Sequence, residues 1–269
     1  MMALTGKWIL KIAGILSLLY IAVCVLVYFI QERLLFFPEP LPATFTFQFR
    51  EPFQEKKIPT ADGTVLHGLL FTSNAHRGLV FYLHGNAGSL RSWGEVAGVY
   101  TQLGYDVFML DYRGYGKSEG HITGEAQFYA DVQTAYNSLK TTYPEQRITV
   151  LGYSLGTGAA ARVAADNHPK QLILQAPYYS MTDMARFHYP FLPPFLLKYT
   201  FPTYRHLQRV TVPVIIFHGD QDEVIYHGSS VKLQAYFKPG DTLVTLAGQG
   251  HNGMSDNPVY RQELKRVLE

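Results

Sequence analysis

Cysteine is almost missing from this 269-residue chain, with Cys24 the only one. It lies inside the first hydrophobic run, so the rest of the chain has no disulfide framework and no cysteine-built metal site. An excess of one charge is missing too. With 23 Lys and Arg against 21 Asp and Glu, the formal net charge is +2. No basic cluster suggests a nucleic-acid surface, and no charge block suggests a disordered tail. Internal repeats and low-complexity tracts are also absent, which argues against a solenoid or an array.

Charge disappears altogether between Ile12 and Ile30, in IAGILSLLYIAVCVLVYFI. As a helix this run is long enough to cross about 30 Å of hydrocarbon. It is apolar on every face, whereas a buried core helix is usually amphipathic. No A-x-A-like cleavage site follows it, and Val23 is too large for the position before a lipoprotein cysteine, so the run reads as an uncleaved single-pass anchor. Lys7, Lys11 and the amino terminus precede it, while Glu32 and Arg33 offset each other after it. That balance favours an amino terminus inside and a folded part outside the cytoplasm. The next segment, RLLFFPEPLP, would set Leu34 to Phe37 at the bilayer interface before its prolines end any helix. The expected division is an anchor over 1–33 and a domain over 34–269, with its folded part starting near Thr44.

Beyond the anchor, TFTFQF and TVLHGLLFT alternate as half-exposed strands do, and Asp62-Gly63 supplies a turn signal between the early segments. They predict an antiparallel start. LVFYL, YDVFMLDY, RITVLGY, QLILQA and VPVIIFHG are short apolar runs, expected where helices cover both faces of a parallel sheet. Helix-length stretches such as GEAQFYADVQTAYNSLKTTYP and LGTGAAARVAADNHP separate them, so the fold class is α/β with an open, doubly wound sheet. One segment departs from this rhythm. Between Pro177 and Pro202 five prolines interrupt an aromatic-rich stretch, which predicts short helices forming a cap, over about 177–207, above the strand ends where such sheets bind ligands.

LGYSLGTGAA places Ser154 between an apolar strand and a helix of small residues, the setting a nucleophile elbow requires. An unactivated serine needs a base to take its proton, an acid to orient that base, and donors for the developing oxyanion. Asp220 and Asp222 in FHGDQDEVI both follow an apolar strand, and chemistry alone does not separate them; Asp183 in SMTDM is a third candidate acid. His251, in the glycine-rich GQGHNG after DTLVTLA, completes the chain order Ser, Asp, His of one triad class. Backbone donors are expected at Leu155, after the serine, and at Asn86 in the LHGNAGS loop. HGNAGS lacks the Lys followed by Ser/Thr that a nucleotide-binding loop arranges.

In their order along the chain, HGNAGS, DYRGYGKSEG, GYSLGTG, HGDQDEVI and GHN resemble the α/β-hydrolase superfamily. With the anchor, LLFFPEP and FHYPFLP, the chain is similar to its membrane-tethered branch of serine hydrolases, which includes bacterial members and eukaryotic protein depalmitoylases. The resemblance implies an α/β-hydrolase fold with a mostly parallel sheet, helices on both faces and a short cap. It also implies Ser154 as nucleophile, Asp222 as acid, His251 as base, and the amides of Asn86 and Leu155 as oxyanion hole, with no metal or organic cofactor. Asp111 and Arg113 become scaffold of the loop beside the site. VIYHG at 224–228 departs from relatives, which usually carry proline soon after that valine. The expected activity is hydrolysis of carboxylic esters or thioesters, on a small-molecule or lipid-like substrate. An amidase or peptidase using the same triad and a non-catalytic membrane-tethered scaffold are the alternatives.

Overall fold

The computed structural model describes residues 2–269. Helix α1, Met2–Leu35, carries the apolar run, and residues such as Ile15, Leu18 and Leu19 turn their side chains outward rather than into a core. The strands of the main sheet are β1 (Phe53–Pro59), β2 (Val65–Phe71), β3 (Leu79–Leu83), β4 (Asp106–Asp111), β5 (Ile148–Tyr153), β6 (Gln171–Gln175), β7 (Val214–Gly219) and β8 (Thr242–Leu246). Their spatial order is β8-β7-β6-β5-β3-β4-β2-β1. β1 pairs antiparallel with β2, and β2 antiparallel with β4. All other neighbours are parallel.

Side chains alternate across the parallel strands, so each strand feeds two cores. Leu79, Phe81 and Leu83 of β3 face α2 (Glu125–Leu139) and α3 (Gly156–Asp166). Val80 and Tyr82 face the opposite layer, where Tyr100 and Tyr260 lie and their hydroxyls hydrogen-bond at 2.9 Å. Burial on both faces is why these strands read as unbroken apolar runs.

Two expectations about the start of the domain are corrected. TFTFQF is not a strand: residues 41–50 form no ladder. Its alternation comes from Phe47 and Phe49 packing on the sheet, Phe47 stacked on His67 and Phe49 against Phe71. The edge strand paired with β2 is instead FQEKKIP, whose exposed outer face hid it among charged residues. Nor does the domain wait for Thr44. Phe36 is already buried in the core, and Phe37–Pro38 forms a short parallel pair with Ala87–Gly88.

The cap lies between β6 and β7. It contains α4 (Met181–His188), a turn over Pro194–Leu196 and α5 (Thr203–Leu207). Two further helices, α6 (Gly228–Leu233) and α7 (Pro258–Leu268), follow β7 and β8, and two short helical turns, Leu90–Trp93 and Ala97–Thr101, lie between β3 and β4.

Arg113 and Asp111 serve as braces. The buried Arg113 guanidinium donates to both carboxylate oxygens of buried Asp131, at 2.5 and 2.8 Å, and to Asp62 at 2.7 Å. It thereby ties the loop after β4 to α2 and to the β1–β2 turn. Asp111 accepts from the Leu90 amide at 3.0 Å. Removing one partner of a buried ion pair leaves the other desolvated and uncompensated, so Arg113→Ala should lower unfolding stability by about 3 kcal/mol. Denaturant melts check this, and a loss under about 1 kcal/mol would place the pair among solvated surface bridges.

Candidate active site

The C-terminal ends of β3, β5, β7 and β8 meet at one edge of the sheet, and each loop leaving them delivers one part of a polar cluster. Ser154 sits in the turn from β5 into α3 with a φ of 50°. This left-handed conformation is costly for a residue with a Cβ, and neighbours hold it in place. The Ser154 amide donates to the Gln175 carbonyl at 2.9 Å, and its own carbonyl accepts from the Thr157 hydroxyl at 2.6 Å. The turn is possible because Gly156 has no side chain: a Cβ there would lie 2.1 Å from the Leu83 carbonyl oxygen.

His251 reaches Ser154 from the loop after β8, with Nε2 at 3.1 Å from Oγ. Its Nδ1 is 2.8 Å from Oδ2 of Asp222. An ionised carboxylate only accepts hydrogen bonds, so Nδ1 carries the proton and Nε2 is left to accept from the serine hydroxyl. Burial alone would push the Asp222 carboxyl up. Hydrogen bonds from His218, His251 and the Ile225 amide outweigh it and hold the group well below the usual carboxylate range.

Of the three candidate acids, the structure brings only Asp222 to the histidine. Asp220 accepts from the Gly248 amide at 2.7 Å and so closes the loop after β8. Asp183 bonds the Tyr226 hydroxyl and Lys232 on the cap side. The departure at VIYHG leaves the turn intact, because the Val224 and Ile225 amides both donate to Asp222 Oδ1, at 2.9 and 2.8 Å.

The amides of Leu155 and Asn86 have no hydrogen-bond acceptor among the described residues. Both residues line the same hollow of about 330 Å³ as Ser154 and His251, with Met181, Met184 and Ile225 forming its apolar wall. Two unpaired N–H donors beside a serine hydroxyl are what a developing oxyanion would require. A larger hollow of about 530 Å³ opens between α1 and Arg113, but among the described residues neither serine nor cysteine lines it.

Several supporting residues escaped the sequence reading. His218 lies 3.2 Å from Asp222 Oδ2 through Nε2, which also meets the Ile225 carbonyl at 2.8 Å, so Asp222 is held from two sides. Its place four residues before Asp222 in the same motif was the available signal. Glu223 accepts from the His251 amide at 3.2 Å, and the Tyr153 hydroxyl donates to the His251 carbonyl. Glu39 holds the Asn86 loop: its amide donates to Gly88 at 2.9 Å and its carboxylate accepts from Ser89 Oγ at 2.8 Å. Nothing in PEP pointed to that role. Beneath the same loop lies His84, whose imidazole burial pushes below its ordinary pKa although Asp111 and the Gly85 carbonyl pull it upward.

The family model described as "Serine aminopeptidase, S33" matches residues 74–203. The chain is 29% identical over 266 residues to the uncharacterized protein Rv2307c of Mycobacterium tuberculosis, covering 96% of this chain and 94% of that one. It is 34% identical over 198 residues to human alpha/beta hydrolase domain-containing protein 17B, covering 71% of this chain but only 65% of the human protein. Among solved structures, the Pyrococcus furiosus esterase Pf2001 superposes with a TM-score of 0.67 at 21% identity, covering 87% of this chain and 95% of that one. Est1E from Butyrivibrio proteoclasticus superposes with a TM-score of 0.65 at 20% identity, covering 80% and 97%.

The depressed Asp222 pKa has a pH consequence. A carboxyl held below its unfolded value of about 3.9 contributes stability that is complete above that pH and is lost as the pH falls towards the folded value. Asp222→Asn should therefore lower the melting temperature at neutral pH and flatten its further fall below about pH 4. Thermal melts followed by circular dichroism at stepped pH test this; an acid limb as steep as that of the unaltered protein would refute it.

Proposed function

The chain belongs to the α/β-hydrolase superfamily, and on that premise we propose that it is a serine hydrolase of carboxylic esters or thioesters that bear an acyl chain. The observation that carries the reading is the unbroken series from Ser154 through His251 to Asp222, with the unpaired Leu155 and Asn86 amides beside it. His251 Nε2 takes the Ser154 proton as Oγ attacks the acyl carbon, and the oxyanion is held by the two amides. Asp222 keeps the imidazole in the right tautomer and stabilises the imidazolium. The imidazolium then protonates the leaving alcohol or thiol. Water, deprotonated by the same nitrogen, releases the acid from the acyl-enzyme.

An acyl substrate is favoured by the apolar wall of Met181, Met184 and Ile225. The matched family model's description supports a second reading, an aminopeptidase. That chemistry calls for a carboxylate facing the substrate amine. Among the described residues no Asp or Glu lines the hollow, and the nearby Glu223 accepts from the His251 amide. In the same proposal α1 is a single-pass anchor, with its amino terminus cytoplasmic and the domain on the other side.

A fluorophosphonate should label the protein in a Ser154-dependent way, and ester turnover should fall at least about ten-thousandfold in Ser154→Ala. A folded protein that takes no label would sink the serine mechanism and leave a tethered scaffold. In an ester series of rising acyl length, kcat/KM should climb beyond short chains; a flat or falling profile, or cleavage of aminoacyl amides alone, would overturn the acyl assignment.

A further inference from the structure

The cap does not stand clear of α1. The Tyr20 hydroxyl, in the middle of the apolar run, donates to the Phe191 carbonyl at 2.7 Å. Gln31, near the helix end, donates to the Leu196 carbonyl at 2.7 Å and accepts from the Lys198 amide at 2.9 Å. At about 1.5 Å of rise per residue, these contacts lie about 16 Å apart along the helix axis. The segment between them thus runs beside the part of α1 that would occupy the hydrocarbon, and Lys198, paired with Glu32 at 3.3 Å, marks the water-side end.

Its chemistry suits that depth. Tyr189 to Leu197 contains no charged residue, and Phe191 and Phe195 are 66% and 83% exposed. Irregular backbone is tolerated at membrane depth only where its polar groups are satisfied. Pro190, Pro193 and Pro194 have no N–H to satisfy. The amides of Tyr189, Leu192, Leu196 and Leu197 bond within the cap and that of Lys198 bonds Gln31, which leaves only those of Phe191 and Phe195 without an acceptor among the described residues. Tyr20 explains itself in the same way, since a hydroxyl in an apolar run needs a partner.

Along α4, apolar side chains succeed one another from the hollow at Ser154 toward this tip. Met181 and Met184 line the hollow at Ser154. Phe187, three residues further along α4, is 57% exposed and stacks on Tyr226 at 4.1 Å between centroids. Phe191 lies beyond it.

We propose that the cap tip, from Phe187 to Leu197, is sunk in the bilayer hydrocarbon beside α1, and that the acyl chain of a bilayer-resident ester enters the site laterally along it. This deepens the hydrolase and anchor readings and rests on them. Two measurements on the full chain in phosphatidylcholine vesicles test it.

The first places a nitroxide on Phe191→Cys or Phe195→Cys in a Cys24→Ser background and reads its depth from collision with oxygen against a water-soluble nickel chelate. Leu18→Cys on α1 serves as reference. Cap and helix labels both in hydrocarbon support immersion. A deep helix label with a cap label in water overturns immersion but leaves the anchor standing, and both labels in water overturn both.

The second compares Ser154 labelling by a hexadecyl fluorophosphonate held in the vesicle with labelling by a short water-soluble one. The ratio cancels any unfolded fraction. It should fall about tenfold in Phe191→Asp/Phe195→Asp, because charge is expelled from hydrocarbon. An unchanged ratio overturns lateral entry alone, whereas a protein that takes neither label overturns the hydrolase reading beneath it.

Discussion

Everything at the site hangs on one strained residue, Ser154, kept in left-handed backbone between β5 and α3. Such strain costs roughly 1–3 kcal/mol and persists only where the surroundings over-determine it. Here the Gln175 carbonyl receives the Ser154 amide, the Thr157 hydroxyl caps its carbonyl, and the Leu83 carbonyl presses against Gly156 where no side chain could fit. The reward is directional. The turn throws Oγ out beyond the sheet edge toward His251 and leaves the Leu155 amide without an acceptor among the described residues.

The partners of Ser154 are held as firmly as the serine. Asp222 is braced by His218, by two amides of its own loop and by His251, so its carboxylate has little freedom to turn away. His251 is fixed through its main chain by Tyr153 and Glu223. The Asn86 loop is pinned by Glu39, which leaves α1 only a few residues earlier. The segment that emerges from the apolar helix is therefore itself a support for one of the candidate oxyanion donors.

Much of the architecture was legible because it follows from local rules. The apolar runs announced strands buried on both faces, and glycines around Ser154 announced a tight strand-to-helix turn. Where local rules misled, a tertiary cause is visible. Alternating phenylalanines in TFTFQF looked like a strand because alternate residues pack on the sheet, yet their backbone joins no ladder. FQEKKIP was overlooked because an edge strand keeps its outer face in water and loses the apolar signature. His218 and Glu223 sat beside a recognised motif, but their roles depend on side-chain direction, which spacing does not report.

By itself the sequence determined the α/β class, the uncharged run ahead of the domain, and the residue types and order of the serine, aspartate and histidine candidates, since these depend on periodicity, composition and residue type along one dimension. Spacing left Asp220, Asp183 and Asp222 open and the family resemblance singled out Asp222; the tertiary structure shows that it is Asp222 that reaches His251. Each of the three is a carboxylate close to the end of a strand, and distance to His251 Nδ1 is the sole physical difference that matters. The tertiary structure alone decided where the proline-broken cap goes, along α1 between Tyr20 and Gln31. Prolines remove the hydrogen-bond regularity from which a path could be foretold, and the contacts that replace it join residues more than 160 positions apart.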